Sequence, residues 1–169
     1  MKNNQKNASL SIKKLSRASL VAALYVAFTF VSAMFGLSSG VIQFRLSEAL
    51  CILPLFFPEA IYGLFVGCLL SNLLTACAVW DIIFGSIATL LGAIGAYLFR
   101  KLPERLKWLA TLPTVISNSV IIPFILIYAY GSEGSFFFFM LTVFIGEAVC
   151  ASLLGSILYY TMRKNKLLF

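Results

Sequence analysis

The stretch GLSSGVIQFRLSEALCILPLFFPEA, residues 36–60, sets the arrangement of the rest of the chain. It joins a loop rich in glycine and serine to an apolar run at residues 46–57. Arg45 and Glu48 lie three residues apart at this junction. Because desolvating a charge beside apolar surroundings is costly, such a pair is either a structural clamp or part of a ligand site.

Composition assigns the chain to the integral membrane proteins. Of its 169 residues, 61% are hydrophobic and only 11% are charged, and the mean hydropathy is +0.98. Soluble domains, by comparison, are about 25% charged. The net charge of +7 comes mainly from three basic clusters that border apolar runs. That pattern orients membrane proteins and does not indicate nucleic-acid binding.

The apolar runs predict an all-α bundle of six transmembrane helices. It forms a single domain over residues 15–169, after a polar cytoplasmic tail at residues 1–14. The first apolar run is too long for the core of a signal peptide, so it is retained as a helix. The predicted helices occupy residues 18–35, 46–57, 58–79, 82–99, 108–130 and 136–162.

The second apolar run, residues 46–57, decides on which side of the membrane the later loops lie. At 1.5 Å per residue it covers about 18 Å, which is short of the roughly 30 Å hydrocarbon core. If it is counted as a crossing, both termini and twelve of the thirteen basic residues are cytoplasmic, with Arg45 as the exception. The preceding loop must then fold into the membrane thickness, where non-helical backbone requires surrounding protein or a watery cavity.

Three polar residues inside the predicted helices are candidates for function. Glu147 lies deep in the last helix among apolar or small neighbours. Its carboxylate is protonated, paired with Arg45 in three dimensions, or available to a cationic ligand, and the sequence leaves these alternatives open. Asn72 is either a hydrogen-bonding link between helices or a ligand contact, and Asn118 lies near the middle of the fifth predicted helix.

Other notable residues have structural explanations. Asp81 is suited to cap the fourth helix, Trp80 to anchor the chain at the membrane interface, and Glu59 to favour the positive end of the third helix. Small residues at helical spacing predict close packing between helices. They lie at positions 18 and 22, at 85, 88, 92 and 96, and at 151 and 155.

Several chemistries are excluded by the residues present. The chain has no histidine, and its four cysteines lack the paired spacing of metal ligands, so metal sites and hydrolase triads are not expected. It has no glycine-rich phosphate loop and no convincing internal repeat. The sequence therefore predicts a small membrane-embedded binder without a cofactor, not an enzyme, which needs an external energy source if it transports.

Four separated blocks carry a resemblance to a known family. They are GVIQFRLSEAL at 40–50, FFPEAIYGLFVGCLLSNLL at 56–74, DIIFGSIATLLGA at 81–93 and GEAV at 146–149. Together they resemble the queuosine-precursor transporter (QueT) family, substrate-binding S components of energy-coupling factor (ECF) transporters. The resemblance covers nearly all of the chain after the tail. It implies six spanning helices in a bacterial plasma membrane, cytoplasmic termini and a pocket open to the outside.

The resemblance also implies partners. An S component works with a transmembrane coupling protein and two cytoplasmic ATPases. In that larger class an alanine-xxx-alanine step on the first helix contacts the coupling protein, and Ala18 with Ala22 matches this step.

The implied substrate is a 7-deazaguanine precursor of queuosine, foremost 7-aminomethyl-7-deazaguanine (preQ1). Its ring edge offers two adjacent N–H donors and a carbonyl, and its arm is an ammonium group. We expect Glu147 to make one of the two charged contacts, Glu48 or Asp81 to make the other, and Arg45 to hold Glu48. The expected binding residues are Gln43, Phe44, Arg45, Glu48, Asn72, Trp80, Asp81, Asn118 and Glu147, with Tyr130 as a further stacking candidate.

The residues are also compatible with two other functions. The chain is an S component for another small vitamin or nucleobase if a ligand without the positive arm binds better. It is a structural or assembly protein without a ligand if Arg45, Glu48 and Glu147 only neutralise one another. In that case removal of one charge destabilises the fold, because its partner is left buried and unpaired.

Overall fold

The computed structural model of the protein describes residues 2–38 and 43–164, with side chains from residue 9 onward. Residues 39–42 of the quoted stretch and residues 165–169 lie outside the described residues. All regular structure in the described part is helical, which confirms the predicted all-α class. The α-helices are α1 (Lys2–Met34), α2 (Ala60–Leu74), α3 (Ser86–Leu98), α4 (Leu112–Tyr128), α5 (Phe136–Glu147) and α6 (Gly155–Lys164).

Short 3₁₀ and π segments extend several of these α-helices. A π-helical turn precedes α3, a second connects α5 directly to α6, and a 3₁₀ helix leads into α4. The π turns are Asp81–Gly85 and Ala148–Leu154, and the 3₁₀ helices are Leu46–Leu55, Phe99–Lys101 and Glu104–Thr111. We refer to Leu46–Leu55, which stands alone between α1 and α2, as the short helix.

Four of the helical rods are long and apolar enough to cross a membrane. They are Ser9–Met34, Asp81–Lys101, Glu104–Tyr128 and Phe136–Lys164. The short helix and α2 are apolar but shorter, at 10 and 15 residues. The prediction of a helical membrane protein with several spans is confirmed, whereas the count of six crossings and the cytoplasmic termini remain predictions.

The ends of two helices differ from the predicted ones. Helix α2 begins at Ala60 instead of residue 58 and ends at Leu74 instead of residue 79. The chain turns just beyond it, where Ala76 has a positive φ of 53°. Helix α1 starts at Lys2 and therefore includes the polar residues predicted as a tail. These residues contain neither glycine nor proline, so nothing in them interrupts a helix.

The short helix lies in the core of the bundle. Its residues from Ser47 to Pro54 are all buried. Leu50 and Leu53 pack in one cluster with Val21 of α1 and Leu64 of α2. A 3₁₀ helix rises about 2.0 Å per residue, so the short helix covers about 20 Å. The apolar run that decided the predicted topology is thus an enclosed element that positions the charges at its start.

Small residues bring the α-helices into close contact, as the sequence predicted for α3. A Cβ atom added to Gly92 would lie 2.7 Å from the Cα of Thr114 on α4. The same change at Gly67 of α2 would place it 3.1 Å from the Cα of Ala22 on α1. Real Cβ atoms rarely approach other atoms so closely, so glycine at these positions allows the helix axes to approach. Ala151, on the face of Glu147, is also buried.

Candidate functional site

Four ionisable side chains are buried together in the bundle. Arg45, Glu48, Asp81 and Glu147 are 6%, 2%, 1% and 7% exposed. They come from the segment before the short helix, the short helix itself, the π turn before α3 and the end of α5. We call these four residues the charged cluster. Since buried charges in a membrane protein require compensation, the partners of each one indicate its role.

Arg45 is paired with Asp81 and not with Glu48. Its extended backbone (φ −96°, ψ 103°) precedes the short helix. Nη2 lies 3.5 Å from Oδ2 of Asp81, Nη1 donates to Oδ1 of Asn72 at 3.3 Å, and Nε donates to the carbonyl of Ser38 at 2.8 Å. The predicted Arg45–Glu48 pair is therefore wrong for the described chain. Residue 45 is not yet helical, so a spacing of three does not bring its side chain to that of Glu48.

Asp81 is held from a second side by the loop after α4. The hydroxyl of Tyr130 donates to Oδ2 of Asp81 at 3.2 Å and accepts from the backbone N–H of Ala78 at 3.1 Å. Burial and the neighbouring Asp81 raise the pKa of Tyr130 to about 12, so the phenol keeps its proton at neutral pH. Trp80 and not Asp81 is the N-cap residue of the π turn, Oδ2 of Asp81 is bonded to Arg45 and Tyr130, and its Oδ1 has no partner, so the predicted capping role is wrong.

Both carboxylate oxygens of Glu48 accept hydrogen bonds from neutral groups. The hydroxyl of Tyr25 on α1 donates to Oε1, and the thiol of Cys51 donates to Oε2 at 3.2 Å. Tyr25 is completely buried, so this contact lies in the interior of the bundle. Glu48 is thereby fixed by two neighbours that carry no positive charge.

Only one of the two carboxylate oxygens of Glu147 has a hydrogen-bond partner. The side-chain amide of Asn118 donates to its Oε1 at 2.9 Å, whereas Oε2 has no hydrogen-bond partner. The residue interacts electrostatically with Glu48 and Arg45, so all three share the same interior. Next to it, Gly146 packs directly against the backbone carbonyl of Gln43, which ties the segment that carries Arg45 to the end of α5.

Four buried side-chain oxygens of the described residues lack any hydrogen-bond partner. A buried unsatisfied polar group costs about 1–3 kcal/mol. Two of the four belong to the charged cluster, and the other two belong to residues of α4. They are Oδ1 of Asp81, Oε2 of Glu147, Oγ1 of Thr114 and Oγ of Ser119. A polar ligand that donates hydrogen bonds would remove this cost.

The aromatic residues expected to stack on a ligand lie at different places. Phe44 is half-buried beside Arg45. Trp80 is 58% exposed, stacks on Phe84 with ring centroids 5.8 Å apart, and lines an apolar groove of about 480 Å³ with Phe124 and Tyr128. The structure thus places Trp80 on the outside of the bundle, whereas Tyr130 contacts the charged cluster through its hydrogen bond to Asp81.

A second apolar groove runs between α1 and α2. It has a volume of about 700 Å³ and is lined by Ala18 and Ala22 together with Ala23 and Ala27. Ala22 is also buried against Gly67, so part of this alanine surface serves internal packing. No member of the charged cluster lines either groove.

Comparison with known proteins gives a family assignment for this arrangement. The model of a family described as QueT transporter matches residues 15–164, which is most of the chain. The chain belongs to the QueT transporter family. A relative in Lactococcus lactis subsp. cremoris (strain MG1363), named "Queuosine precursor transporter QueT", is 38% identical over 90 residues. That match covers 53% of this chain and 53% of the relative, about half the length of either protein. No solved structure matches the chain.

Membership of the QueT family confirms the resemblance that the four sequence blocks carry. The matching family is described as transporters and the relative is named a transporter, and neither is an enzyme. The helical rods that are long and apolar enough to cross a membrane are consistent with this assignment.

Sequence reasoning missed three polar residues of α1 that contact the start of the short helix. Besides Tyr25, the hydroxyl of Thr29 donates to that of Ser47 at 2.9 Å, and the hydroxyl of Ser32 accepts from the backbone N–H of Leu46 at 3.0 Å. Tyr25, Thr29 and Ser32 follow one another at steps of four and three. Polar residues at that spacing share one face of a helix, and this signal was available in the sequence.

Replacing Tyr25 with phenylalanine is expected to destabilise the protein. The change removes the donor to Oε1 of Glu48, and an unsatisfied buried acceptor costs about 1–3 kcal/mol. Thermal unfolding in detergent measures the loss. Tyr128→Phe is the matched control, because Tyr128 is 81% exposed, and it should leave the transition unchanged. Equal transitions for both variants would mean that the Tyr25–Glu48 contact does not hold the short helix.

Proposed function

We propose that the protein is the substrate-binding S component of an ECF importer. It captures a queuosine precursor, foremost preQ1, at the outer face of a bacterial plasma membrane and delivers it inward with a coupling protein and two ATPases. Membership of the QueT family supports a transport role, and the name of the Lactococcus relative supports this substrate class.

The observation that carries the proposal is the set of buried oxygens without partners beside the charged cluster. PreQ1 is rich in hydrogen-bond donors, with two adjacent N–H groups on its ring edge and an ammonium on its arm. Asp81 and Glu147 each have one free carboxylate oxygen, and Arg45 and Asn118 supply donors for the ring carbonyl. Such a site has many acceptors for one small cationic molecule.

The residues that we propose to bind the substrate are those expected from the sequence, but the role of Arg45 changes. Arg45 orients Asp81 instead of Glu48, because these two groups form the ion pair. Among the stacking candidates, Tyr130 contacts Asp81, Phe44 is half-buried, and Trp80 is exposed. The proposed contacts are Gln43, Phe44, Arg45, Glu48, Asn72, Trp80, Asp81, Asn118 and Glu147.

An uptake assay tests the proposed function. Cells that cannot make the precursor express this chain with a coupling protein and two ATPases, and queuosine in their tRNA is measured after preQ1 is supplied. Queuosine should appear with the complete set and be absent without this chain. If the complex forms but no queuosine appears, the chain does not import preQ1.

The groove between α1 and α2 is the proposed contact with the coupling protein. Its alanines present a smooth apolar surface that allows another helix to approach closely. Ala18 is proposed as a direct contact, and Ala22 as a residue that both packs on α2 and lines the groove.

Ala18→Leu is expected to reduce recovery of the coupling protein and ATPases in co-purification by about tenfold, because the larger side chain blocks close helix approach. Binding of preQ1 by the isolated variant should be unchanged, which shows that the fold is intact. Thr161→Leu, at an exposed position on α6, is the control and should recover the partners as the wild type does. Full recovery with Ala18→Leu would place the partner surface elsewhere.

A further inference from the structure

We propose that Glu147 is the residue that makes the site selective for ligands with a cationic arm. This inference rests on the proposed function and assigns the two ends of the ligand. The ammonium of preQ1 binds Glu147, and the ring edge is bound by other members of the site. Comparison of the three buried carboxylates leads to this assignment.

Asp81 already has a cationic partner. The guanidinium of Arg45 lies 3.5 Å from its Oδ2, and the hydroxyl of Tyr130 donates to the same oxygen. An ammonium at Asp81 would lie beside a positive charge that is held in place by two further hydrogen bonds, to Ser38 and Asn72. A neutral N–H donor from a ring edge meets no such repulsion at the free Oδ1.

Glu48 has no free oxygen. Its two carboxylate oxygens accept from Tyr25 and Cys51, both of which are buried and belong to the packed core. An ammonium could reach Glu48 only by displacing one of these donors. Glu48 therefore contributes negative potential to the site without being the direct contact of the arm.

Glu147 has a free oxygen, and no cationic side chain of the described residues is in direct contact with it. Its Oε2 is unpaired, its Oε1 is held by the neutral amide of Asn118, and the side chain is 93% buried, since 7% is exposed. In the described residues it forms no ion pair within 4.0 Å. A desolvated carboxylate without a counter-ion gains more from a bound ammonium than one that is already paired.

Helix α4 adds one acceptor on the same side as Asn118. Thr114 lies four residues before Asn118, one helical turn away, so the two side chains share a helix face. The hydroxyl oxygen of Thr114 is buried and has no hydrogen-bond partner. An ammonium has three N–H donors, so one carboxylate oxygen does not satisfy it, and the hydroxyl oxygen of Thr114 is a suitable additional acceptor.

A pair of ligands separates the two ends of the molecule. PreQ1 and 7-cyano-7-deazaguanine share the ring and differ in the arm, which is an ammonium in the first and a neutral nitrile in the second. Calorimetric titration of the wild type and Glu147→Gln with both ligands gives four affinities. We expect the substitution to weaken preQ1 binding by about 30-fold or more and to change binding of the cyano compound by less than about threefold.

Two controls make the result specific. Asp81→Asn should weaken both ligands to a similar degree, because it alters the contact of the shared ring. Glu147→Asp keeps the negative charge but shortens the side chain by one methylene, which moves the carboxylate away from the ammonium. It should therefore also weaken binding of preQ1 more than binding of the cyano compound. This variant replaces Glu147→Gln if the latter does not fold.

The outcomes distinguish this inference from the proposed function. If Glu147→Gln weakens both ligands equally, Glu147 does not read the arm and the inference is overturned, while the proposed function stands. If the folded wild type binds neither ligand, the proposed function itself fails and the inference fails with it.

Discussion

Arg45→Ala is expected to lower the free energy of unfolding by about 3–5 kcal/mol, because removal of one partner leaves the other as an uncompensated buried charge. Arg45 and Asp81 are 6% and 1% exposed, so water cannot solvate the remaining carboxylate. The change also removes donors to Asn72 and to the carbonyl of Ser38. Thermal unfolding in detergent measures the loss of stability. Gel filtration after heating provides a second readout, the fraction of protein that stays in the monodisperse peak.

An exposed ion pair provides the matched control. Arg163 lies 2.9 Å from Glu104, closer than the buried pair, but both side chains are about half exposed. Exposed pairs contribute about 0–1 kcal/mol, so Arg163→Ala should have little effect. Equal destabilisation by the two alanine variants would contradict the structural role given to the Arg45–Asp81 pair.

A double-mutant cycle identifies the source of the loss. Adding Asp81→Asn to Arg45→Ala removes the lone carboxylate, so the double variant should be more stable than Arg45→Ala alone. If Asp81→Asn and Arg45→Ala destabilise additively, the two residues do not interact.

Gly146→Ala is expected to lower the free energy of unfolding by about 3 kcal/mol, which is at the upper end of the cost of overpacking a core. An added Cβ would overlap the backbone carbonyl of Gln43. Backbone cannot move aside as a flexible side chain can, so the segment that carries Phe44 and Arg45 must shift away from α5. We expect reduced thermal stability together with weaker preQ1 binding, because this segment belongs to the proposed site.

Gly155→Ala is the control on the same helical rod. Its Cβ would lie 3.3 Å from the carbonyl oxygen of Ala49, a distance that a small adjustment accommodates. Alanine also favours a helix over glycine by about 1 kcal/mol, which offsets part of the strain. A Gly146→Ala variant as stable as Gly155→Ala would show that Gln43 and Gly146 are not in close contact.

The sequence predicted the helical class and the residues of the charged cluster, because both follow from local properties. Apolar runs bounded by basic clusters identify membrane helices whatever their packing. A charge inside such a run stands out for the same reason, and Glu147 was recognised in this way. The structure brings Arg45, Glu48, Asp81 and Glu147 into one interior, while their role in binding remains a proposal.

The partners within the cluster could not be predicted, because they depend on contacts between distant parts of the chain. Arg45 and Asp81 are separated by 36 positions, and Tyr25 and Glu48 by 23. Sequence proximity favoured Glu48 as the partner of Arg45, but the extended backbone at Arg45 directs its side chain towards Asn72 and Asp81. Helix propensity contains no information about such pairings.

The π-helical turns were not predicted from the sequence either. The last rod was predicted as one regular helix, yet a π turn, Ala148–Leu154, begins directly after Glu147. Another π turn begins at Asp81 itself. Such turns are frequent at functional sites, but they depend on how neighbouring helices pack around the side chain. Hydrophobic periodicity alone does not reveal them.

Direct binding of preQ1 is the central claim, and isothermal titration calorimetry of the purified protein in detergent tests it most directly. Guanine, which lacks the ammonium arm, and thiamine, a cation of different shape, serve as controls. We expect saturable binding of preQ1 with one site per chain and much weaker binding of both controls. A folded, monodisperse sample that gives no heat with preQ1, or binds guanine equally well, would contradict it.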